Sequence, residues 1–536
     1  MKTGSSSLLR FVLVSALSIL GPGSGPAGAN PPTTFTHGVA SGDVTPFSAV
    51  LWTRVDRRTP LTIEVSLESS FHVKHFHRVV HATAENDFTA KVVATPLLPD
   101  RLYYYRWRHG SAISPVGTFR TAPAPDLAKS LRFTWTGDSD GTRINGVPAW
   151  NNFEVLNAVR AEGGDFFIYL GDTIYPDSIR RTAPPAATLD EFRATYKEAR
   201  GYAALQALLQ AVSTYAIWDD HEVRDDYAGQ TVDPALYANG QRAFLDYMPT
   251  EDIQFASPGC VGTPRFRVFR WGTEVELIIL DTHSCRSASA LPACTYPSPP
   301  LPPGTFDFAP TLPGFLRAMF PAFFPPLALI PNCLPTINNP ARTMLGEIQK
   351  HLFKDALAST ARIKIVLSPS TFAQTYVNPY SRWEGYAAER AELIRFIRDH
   401  AIRVVFLSTD DHRNVIHQVF IDRLTEPMSA GTEFVTGPIA TLTDQGTLLN
   451  FFGLPPDTDC SLPANAGHPG CVAVAAQQGV LSFAGVNCRH LNKFSYGAVE
   501  VNAATRTVTV TLKDDQGQVI RDQLNPAIEC RGSIGP

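Results

Sequence analysis

The sequence predicts an α/β catalytic domain of layered sheets and helices, preceded by a small N-terminal β-sandwich domain. From about residue 34 to 120, short strand-like runs alternate with turn residues and no long helical period occurs, which is typical of a β-sandwich. From about residue 130, apolar runs of strand length alternate with helical periods, as expected for strands that are covered on both faces. The predicted domains are 33–122 for the sandwich and 130–536 for the catalytic part.

The composition is that of a globular protein. The chain has 536 residues, of which 44% are hydrophobic and 18% are charged, and this length favours two domains over one. The formal net charge is −4 and no long run of Lys or Arg occurs. The sequence therefore indicates no nucleic-acid-binding surface.

Residues 1–29 have the pattern of a cleaved signal peptide. Lys2 and Arg10 accompany an apolar run from Phe11 to Leu20, and Ala27-Gly28-Ala29 is a small-residue cleavage site. Arg10 has no neighbouring arginine, which favours Sec-type secretion over twin-arginine export. We therefore expect a secreted or periplasmic protein.

Four apolar runs are predicted to be central strands of the catalytic domain, at residues 131–136, 166–170, 215–218 and 404–407. Thr188 and Glu191 form a capping-box pattern that predicts the start of a helix. The run from Ala387 to Phe396 predicts another helix directly before the last of these strands.

A short acidic segment follows each of these four strands. The segments are Gly137-Asp138-Ser139-Asp140, Gly171-Asp172-Thr173-Ile174-Tyr175, Asp219-Asp220-His221-Glu222 and Thr409-Asp410-Asp411-His412. Ligands of open α/β sheets bind beyond the carboxyl ends of the strands, so we expect the segments to meet in one crevice. Converging carboxylates repel one another unless cations neutralise them, and oxygen ligands suit hard cations. The joint pattern predicts a multi-metal site.

Each residue taken singly also has a structural interpretation. An Asp after a strand is a common turn or helix-capping residue, and His221 could be a hydrogen-bonded histidine without a catalytic role. Tyr175 could be a packed aromatic residue at a strand end. Only the combination of segments favours metal chemistry.

These segments resemble, in order and spacing, the motifs of the metallophosphoesterase (calcineurin-like) superfamily, and more narrowly the PhoD-like alkaline phosphatase and phosphodiesterase family. The narrower resemblance runs from about residue 35 to 512 and rests on further stretches: Phe35-Thr36-His37-Gly38-Val39-Ala40-Ser41-Gly42-Asp43, Ile217-Trp218-Asp219-Asp220-His221-Glu222-Val223, Leu280-Asp281-Thr282 and Trp383-Glu384-Gly385-Tyr386. It implies a metallophosphoesterase-type fold for the catalytic domain and a metal-dependent phosphoric ester hydrolase of the alkaline phosphatase D or phosphodiesterase type.

The resemblance also implies roles for individual residues. The residues that match metal-ligand positions are Asp138, Asp172, Tyr175, Asp220, Asp410 and His412. Asp172 matches the residue that bridges two cations, and Tyr175 matches a phenolate that binds ferric iron. Two or more metal ions are therefore expected, Fe³⁺ with Ca²⁺ or another divalent cation. His221 matches the residue that protonates the leaving oxygen.

The sequence departs from the family pattern at four positions, one of which is Thr409 in place of Gly at the start of the last motif. Asp138 stands where PhoD-like chains often have Cys, and Asp140 stands where the wider superfamily has His; Asp140 and Asp219 are weaker candidate ligands. His283 follows the Leu-Asp-Thr stretch where the family has Arg, and Arg286, three residues later, is the candidate for contacting phosphate. An oxygen ligand in place of sulfur favours harder metal ions at the site.

All eight cysteines lie after residue 250. An even number in an exported chain favours disulfide bonds of undetermined connectivity, with buried free thiols as the alternative. No Cys-x-x-Cys pair occurs, so a zinc site is not favoured.

Two insertions interrupt the family resemblance, near residues 287–340 and 454–484. The first is rich in Pro and Phe, and it is either a disulfide-stapled loop packed against the body or an apolar rim that selects lipid-like substrates and contacts a membrane peripherally. The second contains Cys460 and Cys471 and is expected to be another stapled loop.

The predicted function is hydrolysis of phosphodiesters, phosphomonoesters or both, through a metal-bound hydroxide. The expected substrate is a small-molecule or lipid phosphoester. Two alternatives remain: a phospholipase D-like hydrolase of phospholipids, and a catalytically idle relative that binds a partner. The converging acids beside a histidine argue against the idle relative.

Overall fold

The structure is a computed structural model that describes residues 34–253, 257–298, 302–319 and 330–535. The predicted signal peptide lies outside the described residues. Within the described ranges, no helix has the length and apolar character that crossing a bilayer requires.

The strands of the described ranges are, in chain order, β1 (Val39–Gly42), β2 (Ala49–Arg54), β3 (Thr59–Ser66), β4 (Phe76–Ala82), β5 (Thr89–Ala94), β6 (Leu102–His109), β7 (Ala112–Ile113), β8 (Gly117–Arg120), β9 (Leu131–Thr136), β10 (Arg143–Ile144), β11 (Val147–Pro148), β12 (Phe166–Leu170), β13 (Thr214–Ile217), β14 (Arg267–Trp271), β15 (Val275–Ile279), β16 (Ile363–Leu367), β17 (Val404–Ser408), β18 (Asn414–Gln418), β19 (Thr432–Val435), β20 (Val486–His490), β21 (Ser495–Asn502), β22 (Thr507–Asp514) and β23 (Arg531–Ile534).

The α-helices of the same ranges are α1 (Glu154–Glu162), α2 (Leu189–Arg200), α3 (Ala203–Ala211), α4 (Pro234–Tyr247), α5 (Gly314–Arg317), α6 (Cys333–Ile337), α7 (Gly346–Leu357), α8 (Ala387–Asp399), α9 (Asp444–Phe451) and α10 (Pro469–Phe483). The predicted capping box opens α2, because Thr188 accepts from the Glu191 backbone N–H and the Glu191 carboxylate accepts from the Thr188 backbone N–H.

Two mixed sheets form the body of the molecule. The first has the strand order β23-β22-β21-β9-β12-β13-β1-β2-β5, and the second has the order β14-β15-β16-β17-β19-β18-β20. One hydrophobic core cluster contains buried residues of both sheets, including Phe133 and Leu407, and the Trp135 indole N–H donates to the Ser408 carbonyl at 3.3 Å. The sheets therefore pack on each other through a shared core, and the predicted α/β fold class of layered sheets and helices is confirmed.

The N-terminal strands contribute to two sheets. β3, β4, β6, β7 and β8 form a smaller sheet of their own, whereas β1, β2 and β5 extend the first large sheet. The junction is a parallel pairing of Gly42 with Thr214, and a Cβ atom on Gly42 would lie 2.6 Å from the Thr214 carbonyl oxygen and 2.3 Å from that of Pro249. Only glycine fits this close approach of three backbones.

All eight cysteines are paired in disulfide bonds: Cys260–Cys285, Cys294–Cys333, Cys460–Cys471 and Cys488–Cys530. The second pair closes a loop within the first insertion, and the third closes a loop within the second insertion. The two insertions also touch each other, because the rings of Phe315 and Phe483 lie 5.9 Å apart.

His490, at the end of β20, is expected to make stability depend on pH. Burial, and then the charge of Lys493, lowers the pKa of His490 to about 4. Between pH 6.5 and 4, the unfolded chain therefore binds a proton that the folded chain does not bind. Stability is lost as the pH falls through this window. As the pH falls through this window, the free energy of unfolding should decrease less in His490→Asn than in the wild type. We expect the difference to be about 2–3 kcal/mol. Urea denaturation at a series of pH values measures the difference, and parallel pH profiles would contradict it.

Candidate metal centre

The four predicted acidic segments meet at one edge of the paired sheets. β9, β12 and β13 are parallel neighbours, so their carboxyl ends lie side by side. β17 reaches the same place from the second sheet, where the Thr409 hydroxyl donates to the Leu170 carbonyl at 2.6 Å and the Asp410 backbone N–H donates to Asp138 Oδ1 at 3.2 Å. The crevice predicted from the sequence is therefore formed by both sheets.

Two groups of ligand atoms share one carboxylate. The side chains of Asp138, Asp172 and His412 each offer an atom within 4.8 Å of the others, and Asp172, Asp220 and His221 do the same. Asp172 belongs to both groups. This arrangement suits two neighbouring cations with Asp172 between them, which is the position that the family resemblance implies for it.

A third group extends this arrangement. It joins Asp220 to Asp225 and Asp226, again within 4.8 Å. The sequence reasoning missed the last two residues; the only signal was an acidic pair in the loop directly after the His221-Glu222 stretch. The Asp226 backbone N–H also donates to Asp220 Oδ2 at 2.7 Å, which fixes the orientation of that carboxylate.

Tyr175 lies beside the first group. Its hydroxyl donates to Asp172 Oδ2 at 2.7 Å and lies 3.3 Å from His412 Nε2. Burial, followed by the charge of Asp172, raises the pKa of Tyr175 well above its usual value. The phenol therefore loses its proton only if a strongly Lewis-acidic cation binds the oxygen instead.

The ligand loops have an unusual backbone. Four candidate ligands adopt positive φ values: Asp138 at 61°, Asp172 at 49°, Asp410 at 62° and His412 at 52°. Residues other than glycine rarely adopt this left-handed conformation, and where they do, the surrounding structure must hold them. Such strain is common at functional sites.

The donor set fits hard cations. Asp138 Oδ2 and Asp220 Oδ1 are buried without a hydrogen-bond partner among the described residues. Burial and then the charge of Asp219 raise the pKa of both Asp138 and Asp410 well above the usual value. Buried carboxylates that lack partners and repel one another are costly, and cations with oxygen ligands remove both costs.

The His221 ring is oriented by a second carboxylate. His221 Nδ1 donates to Asp177 Oδ1 at 2.6 Å, and Asp177 Oδ2 accepts from the Asp225 backbone N–H at 2.8 Å. Only Nε2 then remains available to a ligand or substrate. Burial lowers the pKa of His221, but the carboxylates of Asp172 and Asp220 outweigh burial and raise it well above the usual value. The sequence reasoning missed Asp177, whose only signal was its place two residues after Tyr175.

Asp177→Asn is expected to lower kcat for a phosphodiester with an alkyl leaving group by about tenfold to a hundredfold, because the amide no longer holds the His221 ring by charge. Metal content and KM should stay close to wild type. Steady-state kinetics with metal analysis checks this. Asp190→Asn is the control, because the Asp190 side chain is 96% exposed. Equal kcat values for the two variants would contradict a role for Asp177.

Three candidate ligands from the sequence stand apart from the groups of ligand atoms. The Asp140 carboxylate accepts from the Thr142 backbone N–H at 3.0 Å and from the Trp150 indole at 2.7 Å. Asp219 Oδ1 lies 3.0 Å from His283 Nδ1. Asp410 reaches the ligands through its backbone N–H. None of Asp140, Asp219 and Asp410 belongs to the three groups found among the described residues.

Arg286 is buried and binds the backbone. Its Nη1 donates to the Ser381 carbonyl at 3.0 Å and its Nη2 donates to the Tyr227 carbonyl at 2.6 Å. The guanidinium therefore ties two loops together in this structure. Its Nε has no hydrogen-bond partner among the described residues, and a contact with phosphate stays a prediction.

Two packed sheets with adjacent groups of candidate ligand atoms that share one strand-end aspartate are the arrangement expected of a metal-dependent phosphoesterase. Comparison with known families narrows this class. The family model for the PhoD-like phosphatase matches residues 145–510, and that for the PhoD-like phosphatase N-terminal domain matches residues 23–123. The chain belongs to the PhoD-like phosphatase family, and it is a phosphoric ester hydrolase, as the sequence motifs predict.

Individual relatives agree with this assignment. Alkaline phosphatase D of Bacillus subtilis (strain 168) is 27% identical over 447 residues, which cover 75% of this chain and 68% of that protein. A solved structure of PhoD superposes with a TM-score of 0.68 at 21% identity and covers 91% of this chain and 93% of that one. The purple acid phosphatase PPD1 from yellow lupin (Lupinus luteus) has a TM-score of 0.55 at 10% identity, covering 94% and 74%. The two structures show the shared fold.

Proposed function

We propose that the protein hydrolyses phosphodiesters and phosphomonoesters at the edge where the two sheets meet. The observation that carries this proposal is the membership of Asp172 in two adjacent groups of ligand atoms. When bound, a pair of cations neutralises phosphate oxygens and acidifies a water, which solves the repulsion between two anionic reactants.

The roles of this chain's residues follow from their contacts. Asp138, Tyr175 and His412 would hold one cation, Asp220 would hold the other, and Asp172 would contact both. His221 would donate a proton from Nε2 to the leaving oxygen, because its Nδ1 is occupied by Asp177. The Asp177 carboxylate, which accepts from Nδ1, stabilises the protonated form of the ring.

The donor types support different metals at the two positions. A phenol, an imidazole and carboxylates suit Fe³⁺, because the buried Tyr175 hydroxyl needs a strong Lewis acid to ionise. The other position would be held by the carboxylates of Asp172 and Asp220, which suit Ca²⁺ or another hard divalent cation, and Asp225 and Asp226 lie close to Asp220.

Metal analysis of the unchelated protein tests the proposal, together with hydrolysis of bis(p-nitrophenyl) phosphate and p-nitrophenyl phosphate before and after chelation. We expect iron with a divalent ion, and activity that disappears on chelation and returns on resupply. A protein that binds no metal and stays inactive after resupply of iron, calcium, manganese and zinc would instead be a binding relative.

Export is a second part of the proposal. Four disulfide bonds join the eight cysteines, and such bonds persist in oxidising compartments. Together with the signal-peptide pattern, they support a secreted or periplasmic protein. N-terminal sequencing of protein from the culture medium or periplasm should begin at Asn30, and an intact Met1 would contradict processing.

Phosphoesters with apolar substituents, including phospholipids, are the proposed substrate subclass. In the described part of the first insertion, Phe315 is 60% exposed and Met319 is 64% exposed, close to where the insertion touches Phe483. These side chains offer apolar contact to a lipid tail or membrane surface. The double variant Phe315→Ser/Met319→Ser should lose more activity on dispersed phosphatidylcholine than on bis(p-nitrophenyl) phosphate. Equal losses would reject this subclass.

A further inference from the structure

Asp411 lies between Asp410 and His412, the two candidate ligands of the last motif. Its own side chain faces two arginines instead. The carboxylate is fully buried and contacts two guanidinium groups, with Oδ1 on Arg382 Nε and Oδ2 on Arg413 Nη2. Two guanidinium groups in contact with a buried carboxylate favour its charged form.

The network continues from Arg413 into the second insertion. Arg413 Nη1 lies 3.2 Å from Asp444 Oδ2, and the Gln477 side-chain amide, on α10, donates to the same oxygen at 2.6 Å. The Asp444 backbone N–H also donates to the His412 carbonyl at 2.8 Å. The start of α9 is thus bonded directly to the ligand loop.

The network continues from Arg382 towards the first insertion. Arg382 Nη1 donates to the carbonyls of Val377 and Asn378 at 3.0 and 3.2 Å. The Asn378 backbone N–H donates in turn to the carbonyl of Phe308, which lies within the first insertion, at 2.8 Å. A chain of short polar contacts therefore runs from one insertion through Asp411 to the other.

We propose that Asp411 is a positioning residue, and that the chain Arg382–Asp411–Arg413–Asp444–Gln477 uses both insertions to hold His412 in its metal-binding conformation. The reason is the backbone: Asp410 and His412, on either side of Asp411, have φ values of 62° and 52°. Such a turn persists only when its surroundings hold it, and buried charges are retained where they specify one conformation. The insertions then act on the metal site and not only on substrate access.

This inference rests on the proposed role of His412 as a ligand, so the test includes a readout that needs no metal. The variants are Asp411→Asn, which removes the charge but keeps the shape, and Gln477→Ala, which breaks the network of polar contacts at its far end. The matched control is Gln445→Ala. Gln445 is also a buried glutamine, 4% exposed, and it neighbours Asp444 but contacts Thr458 and Gln523 instead.

Hydrogen exchange of the amides of residues 409–413, measured by mass spectrometry on metal-free protein, is the first readout. Metal retained after a timed chelator challenge and the separate values of kcat and KM are the second. We expect Asp411→Asn to speed loop exchange at least tenfold, to lose metal faster and to lower kcat about tenfold with KM within threefold. Gln477→Ala should show smaller changes in the same direction, and Gln445→Ala should show none.

Two results would overturn the inference. One is unchanged loop exchange in both Asp411→Asn and Gln477→Ala. The other is equal effects of Gln477→Ala and Gln445→Ala on exchange and metal retention, because a purely structural loss would give that result. If Asp411→Asn does not fold, Gln477→Ala against Gln445→Ala still decides. A wild-type protein without metal would contradict the proposed function, whereas the exchange of residues 409–413 would still report on Asp411.

Discussion

Asp172→Asn is expected to lower kcat/KM for bis(p-nitrophenyl) phosphate by at least about 10³-fold. Asp172 belongs to both adjacent groups of ligand atoms, accepts the Tyr175 hydroxyl and accepts the His221 backbone N–H at 3.3 Å. An amide keeps the shape but has no charge, and it has one acceptor oxygen instead of two. Losing several kcal/mol of charge stabilisation in the transition state corresponds to a rate loss of this size.

Metal analysis and kinetics of the purified variant measure this effect. The matched control is Asp140→Asn, which changes a buried aspartate at the same sheet edge whose oxygens already accept from Thr142 and Trp150. The control should keep its metal and most of its activity. A metal content of Asp172→Asn equal to that of wild type would show that Asp172 does not bridge two cations.

His221→Ala is expected to lower kcat by about 10²- to 10⁴-fold on a phosphodiester with an alkyl leaving group, which is the range for the loss of a general acid or base. The reason is geometric, because Asp177 occupies Nδ1 and leaves Nε2 to protonate the leaving oxygen. A p-nitrophenyl leaving group needs little protonation, so the loss should be much smaller for bis(p-nitrophenyl) phosphate.

The two leaving groups separate proton donation from metal binding. His221 also belongs to the second group of ligand atoms, so a ligand role would lower both activities alike and reduce the metal content. Rate losses of equal size for both substrates, with metal lost, would assign His221 to the cation instead of the leaving group. Asp177→Asn should show the same dependence on the leaving group with smaller losses, because it acts through the His221 ring.

The local parts of the site could be predicted from the sequence. Strands β9, β12, β13 and β17 are short apolar runs, and a buried parallel strand needs such a run whatever its neighbours are. Because ligands gather at carboxyl ends of parallel strands, the positions of Asp138, Asp172, Asp220 and His412 followed from the residues next to each run.

The contacts between distant segments could not be predicted in this way. Asp177 and Asp225 gave only the weak signal of lying close to Tyr175 and Glu222 in the sequence, because their role depends on where the His221 ring lies and not on a motif. Arg286 has the right charge for phosphate, but its neighbours in space are the carbonyls of Tyr227 and Ser381. Hydrogen-bond partners of this kind depend on packing, which a one-dimensional pattern does not contain.

The sequence by itself determined the α/β class, the family and the four acidic strand ends, because each depends on residues that are adjacent along the chain. Only the tertiary structure decided that β1 joins β13, that Arg286 binds backbone and that Asp411 links the insertions to His412. Each of these depends on two sheets and two insertions packing together, and the free energy of packing is a property of surfaces in contact that forms only when the whole chain folds.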